Sequence, residues 1–511
     1  MSSVSENNKR IAKNTIFLYI RLLFSMAVSL YTSRVVLATL GVDDFGLNAV
    51  VTSAITIFSF INGSMSSATS RFLTFELGRG DFERLKKTFS CALNVHILIA
   101  LLILLLGETI GLWYLENKMV IPLDRMTAAR WVYQLTIVSS MLTITQVPYN
   151  ASIMSHEKMN VYAYIEILNT CLKLGIVYLL VIGNFDKLIL YAVLTLCVSV
   201  AITLIYRIYC IRHFEECKYK FIWDKSIFRP MLSFSGWDLF GNASFSLKTS
   251  GIAVILNLFF QLSVNVAYSI ANQVQSAISL LGSNIIKAAT PQLTKYYSVK
   301  KYDEMTELIN TTTFVSSILM LFFAIPMMFE TNFVLRLWLK DVPIETNLFV
   351  KWGILSSFIY TFSSSMNMAT NSTGKIKTKT IRLCIVSVIM IICSYLIFKI
   401  KIAESYWAII LICISNLYMF VMLLVECKKN IPTFSIFLYL KKTCLIEIKV
   451  ILLSIILPFL FVYLFEEGFL RFMLIFFSSL LSIGLSTYWI VLDKAQRQVF
   501  KRYLYSKIIK S

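Results

Sequence analysis

The sequence predicts an all-α polytopic membrane protein, and three observations carry that prediction. Hydrophobic residues make up 57% of the 511-residue chain and charged residues only 15%, against about 25% charged in a soluble domain. Apolar runs long enough to cross a bilayer recur from Thr15 to Leu492 without a long polar interruption. The 48 Lys and Arg outnumber the 28 Asp and Glu, a net charge of +20, and they gather on alternate connections. Mean hydropathy is +0.73. In a soluble chain such a basic excess would suggest nucleic acid; in one this apolar it suggests loops facing a membrane's cytoplasmic side, and no nucleic-acid partner is expected.

Taken in order, the runs that supply roughly 20 mostly apolar residues lie at about 14–36, 46–69, 89–114, 129–152, 161–183, 188–209, 231–258, 265–288, 308–329, 348–371, 380–398, 405–425, 446–465 and 470–492, fourteen spans in all. The first apolar run carries Arg21 and is too long for a cleaved signal, so it reads as a span. With the N-terminus inside, 34 Lys and Arg fall on the cytoplasmic side and 10 on the other. One missed span would invert every later loop and destroy that bias, so both termini are expected in the cytoplasm. The ten cysteines include no C-x-x-C pair and read as small buried hydrophobes, with no metal or cofactor implied.

A weak self-match at an offset of 217 residues aligns Leu30, Thr32 and Ser33 with Leu247, Thr249 and Ser250, Asn150 with Asn367, and Lys158 with Lys375. Spans 1–6 and 7–12 would then form two pseudo-symmetric six-helix lobes of like orientation, residues 1–212 and 213–427. Residues 428–511 add two helices and a basic tail. Parallel repeats of this kind suit rocking transporters with a substrate site between the halves.

A charge at bilayer depth costs about 2.5–3.5 kcal/mol on insertion scales and normally faces a bundle interior or an aqueous cavity. Four cations, Arg21, Arg34, Lys173 and Lys248, fall inside spans. At 100° per residue, Ser235, Asp238, Gly241, Asn242, Ser246, Lys248 and Thr249 share about 160° of span 7, a stripe that cannot face lipid. Asn14, Arg21, Ser25 and Thr32 share a narrow line on span 1. Spans 2 and 8 are polar without charge, with Asn48, Thr52, Thr56 and Asn62 on one and Asn265, Asn272, Gln273, Gln275 and Asn284 on the other.

Each charge has two readings. Arg21 either faces a cavity or snorkels to the cytoplasmic surface, and Arg34 either anchors at the outer interface or faces the cavity. Lys248, near mid-span, cannot snorkel easily and points to a cavity. Asp238 either pairs with Arg21 or Lys248 or couples transport to an ion. Glu166 and Lys173, seven residues apart on one face, either neutralise neighbouring helices or touch substrate. His96 reads as a packing residue. The spans hold more cations than acids, which suits an anionic head group, and the amides and hydroxyls suit a sugar. The substrate-binding candidates are therefore Arg21, Lys248, Asn242, Thr249, Asn272, Gln273 and Lys173, with Asp238 the candidate for ion coupling.

Tyr19–Leu40 (YIRLLFSMAVSLYTSRVVLATL), Asn62–Lys87 (NGSMSSATSRFLTFELGRGDFERLKK) and Gln146–Met159 (QVPYNASIMSHEKM) give the chain a familiar look. It resembles the polysaccharide transport branch of the multidrug/oligosaccharidyl-lipid/polysaccharide exporter superfamily, the flippases of O-antigen and capsule repeat units. The resemblance implies a V-shaped pair of six-helix lobes in the bacterial cytoplasmic (inner) membrane. It implies movement of a polyprenyl-pyrophosphate-linked oligosaccharide from the cytoplasmic to the periplasmic leaflet, with Arg21 and Lys248 holding the pyrophosphate. The partners it implies are that lipid-linked oligosaccharide, the bilayer, and a polysaccharide polymerase and chain-length regulator of lipopolysaccharide or capsule assembly. The two extra helices would help form a groove for the lipid tail.

Two rivals remain on the sequence. A drug/cation antiporter of the same superfamily would want an acid in the cavity. A membrane polysaccharide polymerase or ligase would want a large outer loop with catalytic Arg or His. The longest outer loops, about 115–128 and 330–347, are short, and His occurs only at positions 96, 156 and 213, so no enzyme is expected. No P-loop is present for a nucleotide.

Overall fold

The computed structural model describes residues 2–56, 59–117, 121–180, 186–260, 262–339, 342–343, 345–491 and 497. The side chains of Lys9, Arg10, Leu30, Ser33, Arg34, Ser53, Thr56 and Asn62, together with Lys118 and the basic tail beyond residue 497, lie outside the described residues. Among those described there is no strand. The helices are α1 (Ser2–Thr56), α2 (Ser59–Arg79), α3 (Phe82–Leu106), α4 (Leu112–Asn117), α5 (Met126–Ser155), α6 (Met159–Leu179), α7 (Lys187–His213), α8 (Lys225–Phe259) and α9 (Leu262–Ser298). They continue as α10 (Tyr302–Phe329), α11 (Thr331–Trp338), α12 (Thr346–Thr373), α13 (Lys377–Lys399), α14 (Trp407–Asn430), α15 (Ile436–Tyr439), α16 (Leu445–Leu464) and α17 (Phe469–Ile490).

Nine helical stretches among the described residues are long and apolar enough to cross a membrane. They correspond to the expected spans 3, 5, 6, 7, 9, 11, 12, 13 and 14. Of the other five expected spans, three fall on long helices too polar to qualify, α5, α9 and α12, while the first two, on α1 and the α1–α2 junction, include residues outside those described. Four of these five are repeat partners, span 2 with 8 and span 4 with 10. The break between spans 1 and 2 falls in the gap the sequence left between residues 36 and 46. α1 runs on to Thr56 with one break at Gly41, whose φ of 80° lies in the left-handed region that glycine reaches without a Cβ penalty.

The chain divides into two compact units, residues 1–242 with 290–301 and residues 243–289 with 302–511, so that α8 and α9 contribute to both. In the first unit α1 packs on α6, and α5 packs between α3 and α7. In the second, α8 meets α13 through Ser244 with Cys384 (2.7 Å) and Phe259 with Tyr395 (5.3 Å between ring centroids), and α12 packs between α10 and α14. The order of packing is the same. One contact repeats residue for residue: the Cys210 thiol donates to the Tyr149 carbonyl at 3.4 Å, and Cys427 to the Met366 carbonyl at 3.7 Å. The numbers differ by 217 in both cases (427 less 210, 366 less 149), the offset of the sequence repeat. All ten cysteines are free.

Irregular turns inside the helices have identifiable partners. A π turn at Gly107–Gly111 continues α3 into α4, and the buried Tyr133 hydroxyl donates to the Gly107 carbonyl at 2.7 Å. A Cβ on Gly111 would press on that hydroxyl and force it to shift. In α16, Pro458 has no N–H for the carbonyl of Ser454 four residues back. The Ser482 hydroxyl of α17 donates to that carbonyl at 2.9 Å. His96 is fully buried in α3 with Nδ1 2.8 Å from the Ala92 carbonyl, consistent with packing.

Candidate functional site

A cavity of about 680 Å³ opens within the second unit among α8, α9, α12 and α14. Helical spacing decides who reaches it. Asn265, Tyr268, Asn272, Gln275 and Ser279 recur every three or four residues and bring one stripe of α9 to the wall. Gln273, one residue or 100° from Asn272, is exposed and does not line it. α8 supplies Phe245, Lys248 and Thr249, α12 supplies Ser356, Ser357 and Tyr360, and α14 supplies Asn416.

Lys248 is the one charged group among the described lining residues, and no carboxylate joins it. It is 3% exposed. Its ammonium donates to the Asn416 side-chain oxygen at 2.9 Å and stands 5.6 Å from the Phe245 ring centre. The Asn416 amide nitrogen donates in turn to the Ser356 hydroxyl at 2.9 Å and the Ser356 carbonyl at 3.3 Å, which fixes the amide orientation. The ammonium thus has a neutral acceptor and no counter-charge. Behind the wall, Tyr268 donates to the Thr249 carbonyl at 3.1 Å, and Ser357 donates to the Gln275 side-chain oxygen at 3.3 Å. A Cβ on Gly353 would press on the Gln275 side-chain amide, so a glycine here leaves Gln275 room.

Arg21 lies in the first unit and has a different setting. It donates to the Tyr162 hydroxyl of α6 at 2.9 Å, with the guanidinium 5.1 Å from that ring's centre. One turn along α6, Glu166 accepts from the buried Tyr206 hydroxyl of α7 at 3.0 Å. Ser25 and Thr170 meet at 3.1 Å on the same α1–α6 seam. Lys173 is exposed and joins none of these contacts. Asp238 and Asn242 also fall in the first unit, where the Asn242 amide donates to Ser64 at 3.2 Å and to Asp238 at 3.3 Å. Of the residues singled out in the sequence, the cavity thus collects Lys248, Thr249 and Asn272, while Arg21, Lys173, Asp238, Asn242 and Gln273 stand elsewhere. Asn416, Ser356, Tyr268 and Gly353 were missed. The signal for Asn416 was an amide in an otherwise apolar span.

An all-helical membrane fold with one cation in a hydroxyl- and amide-lined cavity suits the passage of a polar molecule. The comparisons with known proteins agree. A family model described as polysaccharide biosynthesis protein matches residues 11–297. The chain belongs to that family. The fold is similar to a crystal structure of MATE in the straight conformation, with a TM-score of 0.71, 11% identity, and coverage of 84% of this chain and 97% of that one. It is similar to an outward-facing multidrug resistance MATE family transporter, with a TM-score of 0.68, 11% identity and 83% and 97% coverage. It is also similar to a MOP superfamily transporter from Pyrococcus furiosus, reported with reversed polarity of its binding pocket, at a TM-score of 0.67, 12% identity and 83% and 96% coverage. No curated protein matches the sequence significantly.

Proposed function

We propose that this transporter moves a polyprenyl-pyrophosphate-linked oligosaccharide from the cytoplasmic to the periplasmic leaflet of a bacterial inner membrane by alternating access, for assembly of a surface polysaccharide such as O-antigen or capsule. In this reading both termini are cytoplasmic, and a polymerase and chain-length regulator act on the exported unit. The carrying observation is the cavity chemistry. Amides, hydroxyls and three aromatic rings offer the neutral donors, acceptors and flat faces that a sugar needs, and the lone Lys248 offers charge for an acidic group. The barrier being lowered is that of drawing sugars and phosphate through hydrocarbon.

The MATE-like fold fits a drug/cation antiporter equally, but a lipophilic cation would be repelled by a lysine in a wall without a carboxylate. Export of surface glycan in a strain lacking the native gene tests the reading. Lys248→Ala should reduce export at least tenfold at equal protein level, with Lys248→Arg retaining part of it. Full export by both Lys248→Ala and Arg21→Ala, or resistance to lipophilic cations on overexpression, would overturn it.

A further inference from the structure

Glu447, the third residue of α16, is fully buried. Its Oε1 accepts from the Ser317 hydroxyl of α10, and its Oε2 has no partner. Among the described residues no Lys, Arg or His pairs with it, unlike Glu330, which is equally inaccessible but bridged by Arg471.

The placement is built into the chain. The π turn Leu440–Cys444 directly precedes α16, and its wider turn rotates α16 relative to a continuous α-helix. The outcome is a buried stripe of Glu447, Val450, Ser454 and Pro458, while Lys441, Lys442 and Lys449 stay exposed. The groups around the carboxyl are neutral. α10 brings Thr313 and Ser317, and its acids Asp303, Glu304 and Glu307 lie near its start, more than two turns from Ser317. Tyr439 of α15 donates to the Phe362 carbonyl at 3.0 Å, and the π turn brings Cys444. α17 packs on α16 with Ser478, Ser479, Ser482 and Ser486, and its one charged residue, Arg471, is held by Glu330 at the opposite end of the helix.

A carboxylate without counter-charge in such a place is costly, and a carboxyl that served packing alone would be replaced at no loss by an apolar residue. We propose that Glu447 is a binding site for one proton, and that the bound proton holds α16 against α10. Losing it leaves a bare charge on the α10–α16 seam, which separates the two helices and loosens the α16–α17 pair. The mechanism does not depend on which substrate the cavity takes.

The test uses the full-length protein in lipid nanodiscs. Infrared difference spectra across neutral to alkaline pH should show a carboxyl C=O stretch that Glu447→Gln lacks. As that band disappears, amide exchange in α16, corrected for the intrinsic effect of pH, should rise about tenfold or more. In Glu447→Gln, α16 should stay protected throughout. No Glu447 band at neutral pH, or the same rise in exchange in Glu447→Gln, overturns the proposal. Should that variant fail to fold, Ser317→Ala serves instead. Removing the one donor that steadies the anion should make the band persist to higher pH, and an unchanged band loses the assignment.

Discussion

Arg21 in the first unit and Lys248 in the second are both cations on polar stripes of membrane helices, yet their surroundings differ in one respect. Arg21 belongs to a seam that also holds a carboxyl, Glu166, with Tyr162 and Tyr206 between helices. Lys248, among the described residues, meets a neutral amide and the face of Phe245 and no carboxyl. A cation with an acid in the same network is largely balanced within the protein. A buried cation answered by an amide alone keeps attraction to spare for a visiting anion. Under the proposed function, the difference would make Arg21 a structural charge and Lys248 a binding one, a distinction their sequence positions did not draw.

The sharpest way to break the comparison is to exchange the roles. Lys248→Ala should abolish at least nine-tenths of glycan export, whereas Arg21→Ala at matched protein level should lower it only about two- to fivefold; each tenfold corresponds to about 1.4 kcal/mol. Equal losses would erase the distinction. Next in size is Asn416→Leu, which strands the Lys248 ammonium without an acceptor. We expect a loss of about 1–3 kcal/mol in unfolding free energy together with a several-fold fall in export, read by denaturant unfolding and glycan export. Asn416→Asp should instead neutralise the ammonium, preserving stability while export falls.

On the first unit's side, Tyr206→Phe should cost about 1 kcal/mol or slightly more by leaving Glu166 one donor short. Export should be nearly unchanged if this seam is structural.

The smallest effect concerns pH. Asp186 caps the start of α7 and meets Arg125, which also grips Asp44. Partial burial alone would raise its carboxyl pKa, but Arg125 and the backbone N–H groups of Ile189 and Leu188 outweigh that and hold it below the usual carboxylate range. A depressed acid stabilises the fold above its unfolded pKa of about 3.9 and loses that contribution as pH falls through the lower folded value. Acid should therefore loosen this clasp below about pH 4, and Asp186→Asn should remove that part of the pH dependence of the melting temperature. Both partners are substantially solvated, which keeps the shift small.

The apolar half of the architecture was legible because bilayer solvation writes itself into sequence as uninterrupted hydropathy. The helices that escaped the apolar criterion, such as α9 and α12, turn polar residues toward a cavity or one another, and that averages their hydropathy away. Lys248, Thr249 and Asn272 could be found from charge at mid-span and a 100° period. Asn416 offered only an amide in an apolar span, and its role rests on a contact across 168 residues of chain. Gln273 shows the reverse failure, a residue of the right type one step out of phase. The faint repeat at offset 217 has one matching contact, through Cys210 and Cys427, which differ from their surroundings only once their carbonyl partners are known.

The proline in α16 bears on how the chain is made. While α16 sits in lipid by itself, the Ser454 carbonyl opposite Pro458 is bare, and its hydroxyl donor, Ser482, has yet to be synthesised. A lone α16 would therefore enter hydrocarbon with an open acceptor, whereas α16 and α17 entering as a hairpin close it on arrival. The last two helices should leave the insertion machinery together, and chains truncated before Ser482 should be retained there longer than chains a few residues past it.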